Sequence, residues 1–292
     1  KGDCYVTQPT IVLLGPERAT FTYGAYAQIA PIYGAPPLNG NVVAVARNRN
    51  VLETLQHTPN AFGLIAVETR VKGRVNESLE AFIKLGSQYN GDCPLRIMGA
   101  ATIPLSFALM SRGCRIENIE GVLAHEQALA ACAKPIEKFG WPVEDSISNG
   151  RAAQDVANVD RYARFAALGP IEAAEKYGLT VLDTSFEKGL TTFFLLSSEK
   201  GEVSIGRHNR ALMVFRTKGG DGALVDALIP FKKNKINLIH IHSVHDTDGV
   251  YDFVVEAECD EPGLDRLHAA FKGLRKETIR CTTFGPFEVK KM

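Results

Sequence analysis

The sequence has no surplus of charge: 33 basic residues balance 33 acidic ones over 292 residues. No global field therefore draws the chain to nucleic acid or to an anionic membrane surface, and an anionic ligand has to be held by local charge. Long apolar runs are also missing. Ile103 to Met110, among the longest, contains Pro104 and Ser106 and falls far short of the roughly twenty residues a membrane helix needs. The opening Lys1-Gly2-Asp3-Cys4 has no apolar core of the kind a secretion signal carries, so the expectation is a cytoplasmic protein. Six cysteines (Cys4, Cys93, Cys114, Cys132, Cys259, Cys281) contain no Cys-x-x-Cys pair. Their spacing fits neither a disulfide framework nor a zinc ribbon, and they read as reduced structural thiols. There is no repeat with a period of about 20 to 50 residues. What is present is 45% hydrophobic content against 23% charged, enough to bury one full core with room for a second.

The first two thirds alternate strand-like and helix-like segments, which argues an α/β fold. Thr10 to Leu14, closed by Gly15-Pro16, and Phe62 to Val67 read as strands. Helical periodicity covers Val51 to Leu55, His125 to Phe139, Ala152 to Val159 and Pro170 to Tyr177, before a strand from Leu179 to Leu182. Ser197 to Arg207 is polar and Gly-containing and reads as a linker. Beyond it, strands are predicted at Ala211–Thr217, Asn237–Val244, Tyr251–Cys259 and Thr278–Thr283, with helices at Gly222–Lys233 and Pro262–Lys276. That order is the ferredoxin-like βαββαβ pattern.

Leu190-Thr191-Thr192-Phe193-Phe194 reads, in isolation, as an ordinary buried strand. Its context is more informative. Gly15-Pro16-Glu17 with Thr20-Phe21-Thr22, Glu68-Thr69-Arg70 with Gly73 and Val75, His125-Glu126-Gln127, and Ser148 with Ala152-Ala153 precede it in that order. Together these segments, over residues 10 to 288, resemble the prephenate dehydratase family. The family's Thr-Arg-Phe motif becomes Thr191-Thr192-Phe193, its Glu-Asn-Ser becomes Glu68-Thr69-Arg70, and Ala124 stands where its Ser-His-x-Gln motif has serine. The resemblance implies a two-lobed, periplasmic-binding-protein-like catalytic domain over 1–200, with lobe one near 9–99 and 180–200 and lobe two near 100–179. A regulatory domain of the ACT type, over 207–292, follows.

The implied reaction is decarboxylating dehydration of prephenate to phenylpyruvate, a lyase step of phenylalanine biosynthesis. It needs preorganised donors and a positioned acid more than a covalent nucleophile. The resemblance places the Thr191 hydroxyl on the leaving oxygen and makes Glu68 the candidate acid. A cap or ion pair at a strand end is the competing reading of Glu68. Arg18 or Arg70 would replace the lost motif arginine, with Thr20, Thr69, Gln127, Ser148, Thr192 and Phe193 as further substrate contacts. His125 reads first as a helix-entry residue. Alternatives of other kinds are a non-aromatising prephenate decarboxylase and a non-catalytic ligand sensor.

Gly222-Ala223-Leu224-Val225 matches the Gly-Ala-Leu-Val effector motif of the regulatory domain, whereas His242-Ser243 occupies the place of its Glu-Ser-Arg-Pro partner. His240, His242 and His245 also admit a metal reading, with Asp246 and Asp248 near. A histidine cluster at a surface or dimer interface is the alternative. The expected partners are therefore a small dianionic substrate, an amino-acid effector and further copies of the chain in a homodimer or homotetramer. Neither a cofactor nor a metal is expected.

Overall fold

The computed structural model describes residues 8–16, 18–198, 209–245, 250–259 and 263–292. Its first elements are β1 (Thr10–Leu14), α1 (Phe21–Ile29), β2 (Asn41–Val45), α2 (Asn48–His57), β3 (Ala61–Thr69), β4 (Gly73–Arg74), α3 (Asn76–Gly86), β5 (Gly91–Asp92) and β6 (Arg96–Ser111). These are followed by β7 (Gly121–Ala124), α4 (Glu126–Ala131), α5 (Ala133–Phe139), β8 (Val143–Asp145), α6 (Asn149–Asn158), β9 (Phe165–Gly169), α7 (Ile171–Tyr177) and β10 (Thr180–Ser197). The last stretch is β11 (Arg210–Thr217), α8 (Ala223–Lys233), β12 (Asn237–His245), β13 (Tyr251–Glu258), α9 (Leu264–Glu277), β14 (Thr278–Phe287) and β15 (Val289–Lys291). The linker expected at Ser197–Arg207 falls largely outside the described residues.

One sheet runs β2-β1-β3-β10-β6-β9-β7-β8, with β4 on β3 and β15 on β6. Two long antiparallel strands, β6 and β10, make it a two-lobed body. Thr191–Ser197 of β10 pairs with β3, whereas Ala108–Ser111 of β6 pairs with β9, so each strand starts in one lobe and ends in the other. The short flanking strands bury apolar residues on both faces, as parallel strands covered by helices do: Ile11, Val12 and Leu13 of β1 are fully buried. The helix expected over His125–Phe139 is broken at Cys132, where ψ is 9°. Pro135 has no N–H to offer the carbonyl of Ala131, and the helix has to restart.

The second sheet, β12-β13-β11-β14, has the ferredoxin-like order, with β5 of the first unit added beyond β14. Exchange runs both ways, because β15 leaves the second unit and pairs in parallel with Ala100–Thr102 of β6. Tyr33 fastens that seam. Its hydroxyl donates to the carbonyls of Ala100 at 2.6 Å and Glu288 at 3.2 Å, and its ring lies over Gly99, where a Cβ would overlap it. A ring-against-ring run of Phe82, Phe194, Phe284 and Phe287 ties α3 and β10 to β14. Five cysteines are free and Cys4 lies outside the described residues. Burial pushes the thiols of Cys93, Cys132 and Cys281 up to about 12, which makes them poor nucleophiles.

Candidate active site

A cleft of about 940 Å³, partly open to solvent, lies where the two lobes meet. Its most telling feature is where helices begin. Thr20, Arg47, Val75, His125 and Ser148 all line it, and they are the cap residues of α1, α2, α3, α4 and α6. Each helix start presents roughly half a positive charge and outward N–H groups. Side chains cap only two of the five: His125 accepts from the Gln127 N–H and Ser148 from the Arg151 N–H. The first turns of α1, α2 and α3 have no side-chain cap; the third N–H of each turns back to its cap carbonyl, and the first two are left for a ligand. Arg47 and Arg70 add full charges at the rim, and neither has an ion-pair partner among the described residues.

The cleft floor is set by pairing of β10 with β3. Thr191 lies opposite Thr69 and Thr192 opposite Glu68, but Phe193 lies opposite Ala66, so β3 carries one extra residue at a bulge. Successive strand residues alternate faces, and a bulge re-aims them. Thr191, Phe193, Thr69 and Ala66 consequently share the cleft face. The Thr191 side chain is buried and its hydroxyl has no hydrogen-bond partner among the described residues, leaving it for a ligand. Thr69 is engaged across the cleft, donating to Gln127 Oε1 at 3.0 Å. Beside it the Lys72 ammonium pairs with the Glu126 carboxylate at 2.9 Å, a second bridge between the lobes. Thr20 donates to the Leu14 carbonyl at 2.7 Å, and Ser148 reaches the Gly15 carbonyl at 3.3 Å, so both hydroxyls fix the loop after β1.

Three residues expected at the substrate are elsewhere. Thr192 faces away from the cleft, its hydroxyl 2.8 Å from that of Thr102. Glu68 shares that far face: its carboxylate is 3.6 Å from Arg74 Nε, and Arg74 Nη1 reaches Glu256 Oε2 of β13 at 2.6 Å. The bulge is the physical reason, because without it Glu68 would share the face of Ala66. Arg18, in the left-handed region with φ of 59°, lines a separate groove behind α1 together with Glu172, Glu175 and Lys176. Arg70 does line the cleft.

Among the lining residues not expected from the sequence are the polar Arg47, Asn48, Glu77 and Asn149. Each sits at an ordinary helix start, and only the fold makes those starts converge. Asn149 accepts from the His125 N–H at 2.9 Å. Glu77 Oε1 and Asn48 Oδ1 are both buried without a partner. Burial is the main cause that lowers the His125 pKa, opposed by the charges of Asp145, Glu126 and Glu77. Because its Nδ1 accepts from the Gln127 N–H at 3.3 Å, the neutral ring carries its proton on Nε2.

In the second unit Gly222 caps α8 in a left-handed conformation with φ of 79°, and Ala223, Leu224 and Val225 form its first turn, Val225 being 64% exposed. His242 and Ser243 lie on the edge strand β12. Neither group lines the cleft. His240 and His242 stack with ring centroids 6.4 Å apart. Among the described residues no group of three His, Cys, Asp or Glu is placed to hold a metal ion, and Asp246 and Asp248 lie outside them.

A model of the prephenate dehydratase family matches residues 11–201. The chain is 27% identical over 281 residues to the bifunctional chorismate mutase/prephenate dehydratase of Aquifex aeolicus (strain VF5), covering 95% of this chain and 73% of that protein. It is 28% identical over 236 residues to the prephenate dehydratase of Methanocaldococcus jannaschii, covering 79% and 82%. The solved structure of prephenate dehydratase from Arthrobacter aurescens in complex with L-Phe superposes with a TM-score of 0.77 at 24% identity, covering 96% of this chain and 90% of that one. That likeness concerns the two-lobed fold with its second, ferredoxin-like sheet. The match over residues 11–201, with the cleft inside it, carries the assignment: the chain belongs to the prephenate dehydratase family.

Proposed function

We propose that the cleft converts prephenate to phenylpyruvate, carbon dioxide and water. The observation that carries this reading is the convergence of five helix N-termini and two unpaired arginines on one cleft that also presents the unpartnered Thr191 hydroxyl. A dianion is the ligand such a field favours. Arg47 and Arg70 supply the planar carboxylate clamp that Thr192 cannot, and Thr191 donates a hydrogen bond to the departing ring hydroxyl. Phe21, Phe107 and Phe193 give the cleft an apolar wall against which the ring aromatises.

The test is a turnover assay with product identification. Purified protein with prephenate gives the enolate absorbance of phenylpyruvate in base, and Thr191→Ala lowers kcat by about tenfold to a hundredfold, the value of one hydrogen bond to a developing charge. Absence of any aromatic product at high enzyme concentration sinks the reading. A product that has lost carbon dioxide but retained the hydroxyl, seen by mass spectrometry, replaces it with a decarboxylase.

The second unit is proposed as an ACT-type amino-acid sensor. Supporting this are its ferredoxin-like order and the uncapped start of α8 at Gly222. Calorimetry with phenylalanine and tyrosine checks it, and sedimentation checks the proposed homodimer or homotetramer.

A further inference from the structure

The dehydration consumes a proton that the substrate does not supply. Among the described residues lining the cleft, four titrate: Arg47, Arg70, His125 and Glu77. Neither arginine gives up a proton at any working pH. His125 is neutral, because burial lowers its pKa and its Nδ1 is already accepting. A threonine hydroxyl is too weak an acid to lose its proton unaided. Glu77 is the one carboxyl group left.

Its setting points the same way. Glu77 Oε1 is sealed from water with no hydrogen-bond partner, and Asn48 Oδ1 in the same cleft is likewise unpartnered. Two buried acceptor atoms without partners are costly unless donors arrive. A proton on the Glu77 carboxyl is one donor, and the hydroxyl of the substrate is the other. The other titratable residues lining the cleft are Arg47 at the start of α2, Arg70 after β3 and His125 at the start of α4; Asp145, Glu126, Glu77 and Lys72 all act electrostatically on His125, and Lys72 and Glu126 pair with each other at 2.9 Å.

We infer that Glu77 is the general acid, delivering its proton to the ring hydroxyl as it departs. This rests on the dehydratase reading above. In the step, the bond from the ring to its carboxylate breaks, carbon dioxide leaves, and that electron pair enters the ring. The carbon–oxygen bond breaks with its pair on oxygen, the Glu77 proton joins that oxygen, and water forms. Glu77 remains as carboxylate and is reprotonated from solvent before the next turnover. Thr191 holds the leaving oxygen, and Glu77 supplies the proton.

The test compares Glu77→Gln and Glu77→Asp with the wild type, using prephenate and quantifying phenylpyruvate. Glu77→Gln lowers kcat by about 10² to 10⁴-fold, leaves KM within a few-fold, and abolishes the fall of kcat at alkaline pH that the wild type shows. Glu77→Asp retains that fall and recovers part of the rate. A Glu77→Gln enzyme within threefold of wild-type kcat overturns the assignment. Should Glu77→Gln not fold, an Asp variant with wild-type kcat and pH profile overturns it instead. Wild-type protein that makes no phenylpyruvate fails differently: it removes the dehydratase reading itself, and the proton donor with it.

Discussion

Replacing Arg74 by Met keeps most of the side-chain volume and deletes the charge that joins the two units. Arg74 Nη1 is 2.6 Å from Glu256 Oε2, with the side chains 14% and 1% exposed. At an effective dielectric constant near 20 the gross attraction across that distance is about 6 kcal/mol, most of it offset by desolvation of two ions. Deleting one partner of a fully buried pair costs about 3–5 kcal/mol. Here Arg210 still holds the other Glu256 oxygen at 3.1 Å, and Arg74 is not wholly buried. The expected loss is therefore about 2–3 kcal/mol, or about 4 to 6 °C in melting temperature for a chain of this size. Scanning calorimetry on Arg74→Met, Glu256→Gln and the double variant gives the coupling directly, expected to exceed about 1 kcal/mol. A second signal is spectroscopic. Burial first and the Arg74 charge second lower the His240 pKa, so in Arg74→Met the His240 resonance titrates closer to its ordinary value. An Arg74→Met protein melting within a degree of wild type, with Glu256→Gln strictly additive, would refute the reasoning.

His125 has a pKa below its ordinary 6.5, so as pH falls below that value the unfolded chain takes up this proton before the folded one, and stability drops. His125→Asn keeps a cap for α4 and removes the titration. Urea unfolding at a series of pH values should show a shallower loss on the acid side for the variant than for wild type. Gly99→Ala drives a Cβ into the Tyr33 ring and should cost at least about 1–3 kcal/mol by overpacking, with Tyr33→Leu in the same chain recovering part of it in a melting assay. Gln127→Leu removes the partner of the Thr69 hydroxyl across the cleft. A loss of kcat/KM of about tenfold is expected from one hydrogen bond, and unchanged kinetics would show that this contact across the cleft has no part in turnover.

The order of elements in the second unit was legible, because short strands and two amphipathic helices with polar turns between them give unmixed periods of two and 3.6; β14 runs on to Phe287, past the Thr283 expected, and Pro262 lies outside the described residues. The long strands were not. In β6, Pro104 and Ser106 interrupt the pattern, and β10 passes from an exposed half around Asp183–Ser185 to a buried half at Phe193–Ser197, so no single alternation covers either. At the site, Thr191, Thr69, Gln127 and Ser148 were found by motif, and the structure places all four at the cleft. Glu68 could not have been placed, since the extra residue of β3 that turns it from the face of Ala66 is a property of pairing, whereas Thr192 faces away simply because it alternates with Thr191 and Phe193 along β10. Glu77 reads locally as an acidic residue in a first helical turn, a favourable place needing no further explanation. The burial of its Oε1 without a partner exists only in the folded cleft.

The trade of β5 for β15 between the sheets has a consequence for how this protein can be taken apart or rebuilt. Each sheet contains backbone hydrogen bonds supplied by the other unit, and Tyr33 locks one of those joins. A graft that imports a foreign second unit must bring its own equivalent of Val289–Lys291 and must receive Gly91–Asp92 along Thr282–Thr283. Otherwise it leaves two raw strand edges in place of one seam. The two units thus behave as a laced pair rather than as beads on a string, and the lacing ends close to the site, with Lys291 paired to Thr102, which is paired in turn to Thr192 beside the cleft threonine.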